Sequence, residues 1–229
     1  MTTLTQLITE CRNTIGDTSG SPVISDTQLT YWINHGIADL SQYFPKRLVY
    51  AISTTANDRQ YDLETDFLGV ISVEYPTGDD PPSYLKRRDH KHPDFWEEDG
   101  YYDILLPHDA DASNPPQIYI SQKPTTGQTI TINYMAAHSV LSSGSDSTSL
   151  PDRYSHLLTL YVRWRVWQEL SATEGMNPDP IKLLSATQEV NSTRAERIYR
   201  KALDEAVRQA QVSESLSASW PMDANDRIY

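Results

Sequence analysis

The chain is poor in cysteine, in positive charge and in long apolar runs. Its 229 residues include one cysteine, Cys11, which excludes an internal disulfide framework and fits folding in a reducing compartment. No apolar run approaches the roughly 18 residues that a membrane-spanning helix needs. The first residues also lack the basic and apolar stretches of a signal peptide. We therefore expect a soluble protein that is stabilised by an ordinary hydrophobic core.

Positive charge is scarce relative to negative charge. The chain has 19 lysines and arginines against 31 aspartates and glutamates, a net charge of -12. Affinity for phosphate backbones comes from lysine and arginine, so this balance argues against a surface that binds nucleic acid tightly. An acidic wall would still let DNA slide past without sticking. Composition alone leaves open both a protein remote from DNA and one that lines a DNA channel.

Signatures of catalysis are absent from the sequence. No G-x-S-x-G, P-loop, H-E-x-x-H or Rossmann glycine pattern occurs. A glycosidase would need two carboxylates at a fixed separation, and 31 acidic residues offer too many pairs for any to be informative. We predict that the protein is not an enzyme and needs no cofactor.

The densest polar cluster runs from Lys86 to His92 and is followed by the acidic stretch 97–99. His90 and His92, with carboxylates nearby, have the side chains of a zinc site. The ligand spacing of a known site is missing, however, and no second Cys/His pair follows. A basic segment beside an acidic one is more often a solvated, compensating surface or a subunit contact. We therefore predict no metal site.

Between Tyr161 and Trp167, aromatic residues alternate with Arg163 and Arg165. This pattern is superficially similar to a stacking platform for single-stranded nucleic acid. On a helix, however, residues at these spacings do not share one face. We interpret the aromatic residues as core or interface packing, and we expect the two arginines to pair with acidic residues of an adjacent subunit.

Helical periodicity is confined to the two ends of the chain. Residues 1–45 contain two amphipathic stripes, and the second begins at a capping box formed by Ser25 and Gln28. Residues 150–212 return to helix. The last helix, predicted over 181–212, has apolar positions too sparse for burial within one monomer, so we expect it to pack on neighbouring subunits or to line a wet surface. Those positions are Ile181, Leu184, Ile198, Leu203 and Val207.

The middle of the chain, 46–149, alternates in the manner of short strands broken by proline, glycine and aspartate. The stretch 124–127 predicts a hairpin between the strands near Ile118 and Ile130, and 141–149 reads as a linker. The predicted fold class is α+β. It consists of an α-helical bundle formed by both ends of the chain, an inserted small antiparallel β-sandwich or barrel module, and an extended C-terminal tail over 213–229.

The two ends are predicted to share one core, because each shows an apolar stripe that another element must cover. The residues expected in this shared bundle core are Leu7, Ile8, Cys11, Trp32, Ile33, Ile37, Leu157, Leu158 and Tyr161.

Several segments resemble head-to-tail connector proteins of tailed bacteriophages, the adaptor or tail accessory factor family. Residues 25–40, SDTQLTYWINHGIADL, resemble the second helix of those proteins, which often reads I-S-D-x-x-L-x-x-W-I-N-x-G. Residues 127–134 followed by 150–158 are similar to the stretch that enters their third helix. The order of these motifs, and the helix–β–helix layout, strengthen the resemblance.

The resemblance implies a structural virion protein without a cofactor, made in the host cytoplasm and located at the head–tail junction. It implies a ring, usually of twelve copies, that docks beneath the portal protein, joins a tail or neck protein, and continues the DNA channel for packaging retention and ejection. Helices of neighbouring subunits would form the ring wall, while the β module faces outward or toward the tail. A C-terminal extension would reach the portal, and the residues that we expect to contact it are Trp220, Met222, Ile228 and Tyr229.

Two other functions remain open at this point. One is a neck or stopper ring, but stopper proteins tend to be mostly β and to lack a long C-terminal helix, so the layout favours an adaptor. The other is a soluble enzyme or carbohydrate-binding module that uses the β insert. A monomer or dimer in a native mass measurement would favour that second function.

Overall fold

The computed structural model describes residues 2–18, 23–107, 111, 113–174 and 182–218, with the side chains of 172–174, 182–189 and 213–218 left aside. Within these residues the protein combines four α-helices with two β-sheets, an α+β composition. The chain divides into two compact units. The helical unit comprises 1–44 and 139–229, and the β unit comprises 45–138.

The helical unit contains α1 (Leu4–Ile15), α2 (Asp26–Tyr43), α3 (Ser155–Glu174) and α4 (Lys182–Ala218). A single 3₁₀ turn, Asp152–Tyr154, precedes α3. The end of α4 lies six residues beyond the predicted end at Val212, because neither glycine nor proline interrupts the sequence there.

Local sequence defines where the first two helices begin. Ser25 and Gln28 form the predicted capping box at the start of α2. Thr3 and Gln6 form a second capping box at the start of α1, which the sequence analysis missed. In each box the hydroxyl accepts from the N3 backbone N–H and the glutamine side chain accepts from the cap N–H, so two otherwise unpaired donors are satisfied.

One hydrophobic core joins all four helices. Of the nine residues predicted for the bundle core, Leu7, Cys11, Trp32, Ile33, Ile37, Leu157, Leu158 and Tyr161 are buried in it, and Ile8 is half-buried at its edge. Burial, with a smaller effect of Glu10, raises the pKa of the Cys11 thiol to about 12. Cys11 therefore behaves as a small apolar residue of this core.

The packing of α4 differs from the predicted stripe. Ile198, expected on the apolar face, is 39% exposed. The face that packs within the helical unit includes the predicted Leu203, and its other buried members are Ala195, Tyr199 and Ala206. Alanine and tyrosine are weak signals of apolar periodicity, so more of α4 is buried in its own chain than the apolar stripe predicts.

The segment 139–149 also packs within the helical unit. The backbone N–H of Leu4 donates to the carbonyl of Asp146 at 2.9 Å, and that of Thr5 donates to Gly144 at 3.2 Å. The Asn34 side chain of α2 donates to the carbonyl of Leu141 and accepts from its N–H, both at 2.9 Å. These bonds fix a segment that the sequence suggested to be a simple linker.

The described residues of the β unit form seven strands in two sheets. They are β1 (Lys46–Ser53), β2 (Gln60–Asp62), β3 (Phe67–Glu74), β4 (Lys86–Arg87), β5 (Tyr101–Leu105), β6 (Gln117–Ile120) and β7 (Thr129–Ala136). One sheet has the order β1-β7-β3 and the other β2-β6-β5-β4. All pairs are antiparallel except β4 with β5. Within the described residues neither sheet closes into a barrel.

The alternation of β7 organises the core of the β unit. Ile130, Ile132, Tyr134 and Ala136 are buried, while the residues between them are half-exposed. β1 pairs with β7 without a break in register, from Lys46 opposite Ala136 to Ser53 opposite Thr129. Buried residues from both sheets meet in one hydrophobic cluster.

The predicted hairpin over 124–127 was wrong. β6 pairs with β2 and β5, whereas β7 pairs with β1 and β3, so the connection passes from one sheet to the other. Instead of closing a hairpin, this connection is bound to the end of β1. The Thr54 hydroxyl donates to the carbonyl of Thr125 at 2.7 Å, and its backbone N–H donates to Gln128 at 2.8 Å.

Candidate functional site

The helical unit presents a surface on which α4 is fixed to α2 and α3. The buried Tyr199 hydroxyl of α4 donates to the Asp39 carboxylate of α2. Its ring lies edge-on to Tyr161 with centroids 5.3 Å apart and stacks on Trp164 at 6.0 Å. Burial, and then the hydrogen bond to Asp39, raise the pKa of Tyr199. The hydroxyl therefore stays protonated and keeps α4 in place.

Arginines surround the aromatic contact between α3 and α4. Arg200 lies over the Trp164 ring at 5.9 Å and forms an ion pair with Glu196 at 2.8 Å. Arg165 lies over the same ring at 5.7 Å and donates to Gln168. The sequence predicted that the arginines do not share a helix face with the aromatic residues. Arg165 instead contacts one of them, which is typical of cation–π packing at a surface.

A second exposed feature is a shallow apolar groove between the end of α1 and the middle of α3. Apart from Asp17, its lining is apolar and consists of Ile15, Gly16, Val23, Ile24, Val166, Trp167 and Leu170. Gly16 ends α1 with a φ of 79°, a left-handed conformation that glycine adopts without strain. Trp167, the third aromatic residue of the stretch 161–167, therefore lies at a groove and outside the main core.

In the β unit, one group of side chains has the composition of a metal site. Ligand atoms of Asp89, His90 and Asp103 lie within 4.8 Å of one another. Asp103 is the member that the sequence analysis missed, because it lies 13 residues away on β5. His92 is not part of the group: its Nδ1 accepts from the Asp94 N–H and starts a 3₁₀ turn.

The hydrogen bonds of Asp103 favour a structural role for this group. Its Oδ2 lies 2.7 Å from His90 Nδ1 and accepts from the His90 N–H at 3.0 Å, and its Oδ1 accepts from the Ile104 N–H at 2.8 Å. Burial raises the pKa of the Asp103 carboxyl, but these hydrogen bonds outweigh burial and lower the pKa overall. Oδ2 thus already binds two donors and Oδ1 one, which together use three of the roughly four lone-pair sites of this carboxylate.

The basic and acidic segments of this region compensate each other directly. Arg88 forms an ion pair with Glu98 at 2.8 Å and lies over the Tyr101 ring at 3.8 Å. The His90 ring stacks on Tyr119 with centroids 4.5 Å apart. These contacts attach the loop after β4 to strands β5 and β6.

The three-stranded sheet exposes apolar side chains on its outer side. Val49 of β1 is 67% exposed, and Leu68 and Ile71 of β3 are exposed where the register with β7 shifts. Bulges of this kind place extra residues outside the ladder.

The four residues predicted to contact a portal, Trp220, Met222, Ile228 and Tyr229, lie outside the described residues.

The described helices include none with the length and apolar character needed to cross a bilayer. Comparison with known protein families gives a match over nearly the whole chain. The sequence model described as SU10 adaptor protein matches residues 2–223. A search of curated proteins found no match to this chain.

Proposed function

Since this chain belongs to the SU10 adaptor protein family, a family of phage head-to-tail adaptors, we propose that it forms a ring under the portal and links the capsid vertex to the tail. The observation that carries this proposal is the extent of the family match. The match spans both the helical unit and the β unit, so it concerns nearly the whole chain and not one shared module.

The helical unit supports the proposed ring. We infer that both ends of the chain form one bundle, since α1, α2, α3 and α4 contribute to a single core, and that bundles of neighbouring copies form the ring wall. A closed ring needs two different surfaces on each copy, one for each neighbour. The surface of α3 and α4 offers the half-buried Trp164 and Trp167 together with Arg165 and Arg200, residue types that dominate binding energy at protein interfaces. Twelve copies is the number that the resemblance implies.

Composition supports the DNA channel. A conduit has to let the genome pass during packaging and ejection, so its wall should not bind phosphates strongly. A chain with a net charge of -12 is suited to that requirement. We propose that DNA passes through the lumen without sequence-specific binding.

The C-terminal segment is the part that we propose to contact the portal, through Trp220, Met222, Ile228 and Tyr229. Large aromatic and apolar side chains on an otherwise polar segment offer contact area to a groove on a partner. A portal contact of this kind has to offset the free-energy cost of association, so these side chains would be well desolvated.

Deletion of residues 219–229 tests that contact. Because α4 is described to Ala218, this truncation leaves its helix intact, and we expect an unchanged circular dichroism spectrum. Docking onto DNA-filled heads that lack the protein should weaken by at least about tenfold, measured as copies bound per head. The matched control keeps the full length and carries Ser219→Ala and Asn225→Ala, which replace two polar side chains of the same segment. If the truncated chain docks as well as the full-length chain, the proposed contact does not exist.

A neck or stopper ring remains the nearest alternative, and a soluble enzyme or carbohydrate-binding module the more distant one. Docking separates them. An adaptor binds directly to portal-bearing heads, whereas a stopper ring binds only to heads that already carry an adaptor. A protein that binds neither and stays monomeric would favour the module.

A further inference from the structure

The outward face of α4 carries four basic side chains in one line. Arg194, Arg197, Lys201 and Arg208 are exposed. On a helix with about 100° per residue they lie close to one direction, opposite the buried face formed by Ala195, Tyr199, Leu203 and Ala206. We name these four residues the basic stripe. At about 1.5 Å per residue it extends roughly 21 Å along the helix.

The cations of the basic stripe are available for a partner. In the part of the chain that the structure describes, the side chains of Arg194, Arg197 and Lys201 have no ion pair or hydrogen bond. Among the residues that the structure describes, the partner to which Arg208 donates is the backbone carbonyl of Asp204, at 3.2 Å. Arg200, which points in another direction, is the arginine of this helix that is engaged with Glu196 and Trp164.

Charge is segregated on this helix relative to the rest of the chain. Between residues 190 and 212, five basic side chains outnumber three acidic ones, although the whole chain has a net charge of -12. The rest of the chain, with 14 lysines and arginines against 28 aspartates and glutamates, is therefore acidic on average. A basic stripe on one copy and an acidic surface on the next are electrostatically complementary, which orients partners and accelerates their association.

We propose that the basic stripe binds an acidic surface of the adjacent copy of this chain and so forms one side of the subunit interface. This inference rests on the proposed ring and assigns residues to it. Because the stripe of one copy meets a different surface of the next, the contact is heterologous and can repeat around a closed ring.

Two observations favour a protein partner over DNA. Val190 and Val212, at the two ends of the stripe, are 65% and 57% exposed. Covering these apolar side chains with a protein surface makes the free energy of association more favourable, whereas contact with a phosphate backbone contributes little. In addition, Asp204 and Glu205 flank the stripe and are exposed. They would repel a polyanion, whereas a protein surface can present a positive charge to them.

Charge reversal tests the inference. The stripe variant carries Arg194→Glu, Arg197→Glu and Lys201→Glu. The matched control carries Lys86→Glu, Lys91→Glu and Lys123→Glu, three exposed residues of the β unit, and has the same net charge. We expect the stripe variant to need at least about tenfold more protein to fill heads that lack the wild-type chain, with the control within about twofold of wild type. Helicity by circular dichroism verifies that both variants fold.

Cross-linking of the wild-type chain tests the same contact without substitutions. A carbodiimide joins an amine to a carboxylate that it touches, and Lys201 supplies the amine. Rings assembled on heads from equal amounts of ¹⁴N- and ¹⁵N-labelled chains are cross-linked and digested. We expect Lys201 peptides joined to acidic peptides in mixed isotopic pairs. Linkage only to Asp204 or Glu205 of the same chain, or to a portal carboxylate, would overturn the inference.

The outcomes separate this inference from the proposed function. If the wild-type chain forms no ring on heads, both fail. If it forms a ring and the stripe variant assembles equally well, only the inference fails. If the stripe variant assembles normally but loses binding of a fluorescent 30-base-pair DNA duplex that the wild type shows, the stripe is a DNA contact and the inference is overturned.

Discussion

At the scale of single residues, Trp32 is the largest side chain that connects α2 to the shared core of the helical unit, where it is 4% exposed. We expect Trp32→Ala to lower the free energy of unfolding by about 3–5 kcal/mol, as large-to-small core substitutions do. Urea denaturation followed by circular dichroism measures this change.

The adjacent Tyr31 provides the control, because it is 58% exposed. Tyr31→Ala should change the free energy of unfolding by less than about 1 kcal/mol, as is usual for surface substitutions. Equal losses for both variants would show that Trp32 is not the core residue described above.

Which residues were predictable depends on where their signal lies. Trp32 and Ile37 follow the helical period of their own segment, so the sequence was sufficient to predict their burial. Gly36 carries no such signal. A Cβ at this position would lie 3.0 Å from the Tyr161 ring and 3.2 Å from Leu158, so glycine allows α2 and α3 to approach closely. The hydrogen bond between Asp39 and Tyr199 joins residues 160 positions apart, and no local pattern indicates it.

At the scale of elements, the edge of the four-stranded sheet depends on the ionised Asp103 of β5. Its pKa is lowered in the folded protein, against about 3.9 in an unfolded chain. Its contribution to stability is therefore complete above the unfolded pKa and is lost as the pH falls through the lower, folded pKa. We expect the melting temperature to fall between about pH 5 and pH 2 by less in Asp103→Asn than in the wild type.

Thermal melting followed by near-ultraviolet circular dichroism at a series of pH values measures this dependence. The control is Asp111→Asn, a fully exposed carboxylate of the same unit whose pKa is also lowered, by hydrogen bonds from Ser113 and Asn114. Solvent screening makes its contribution smaller. Identical pH profiles for the wild type and Asp103→Asn would contradict the structural role of Asp103.

The same group of side chains leads to a prediction about metal removal. The oxygens of Asp103 accept hydrogen bonds from His90 and Ile104, so the fold of this edge needs no cation. We expect the melting temperature to be unchanged by an excess of a strong chelator. A drop in melting temperature that added Zn²⁺ reverses would instead identify Asp89, His90 and Asp103 as a metal site.

The positions of the strands were easier to predict from the sequence than which strands pair with each other. The alternating segments around Tyr50, Val73, Ile118 and Ile132 are all strands in the structure. β4, with two residues and no alternation, gave no signal. The partition into two sheets was missed because the loop between β6 and β7 has the composition of a hairpin. The pairing of β6 and β7 with different strands shows that this loop crosses between sheets, and Thr54 binds it. Alternation is a local property, whereas pairing depends on distant partners.

At the scale of the whole molecule, the resemblance seen in the sequence and the family match agree. The prediction of an adaptor family is confirmed, because the family model matches residues 2–223. The contacts between copies in the ring were harder to predict from the sequence. Which surfaces meet in a ring depends on neighbouring copies, and a single sequence shows only candidate surfaces such as the outward face of α4.

The most direct test of the central claim is a cryo-electron microscopy reconstruction of the head–tail junction of the phage particle. The account predicts a ring of copies of this chain directly beneath the portal, with the helical units forming the wall around DNA and the residues after Ala218 in contact with the portal. A junction whose portal contacts another protein directly, with this chain elsewhere in the particle or absent from it, would contradict the account.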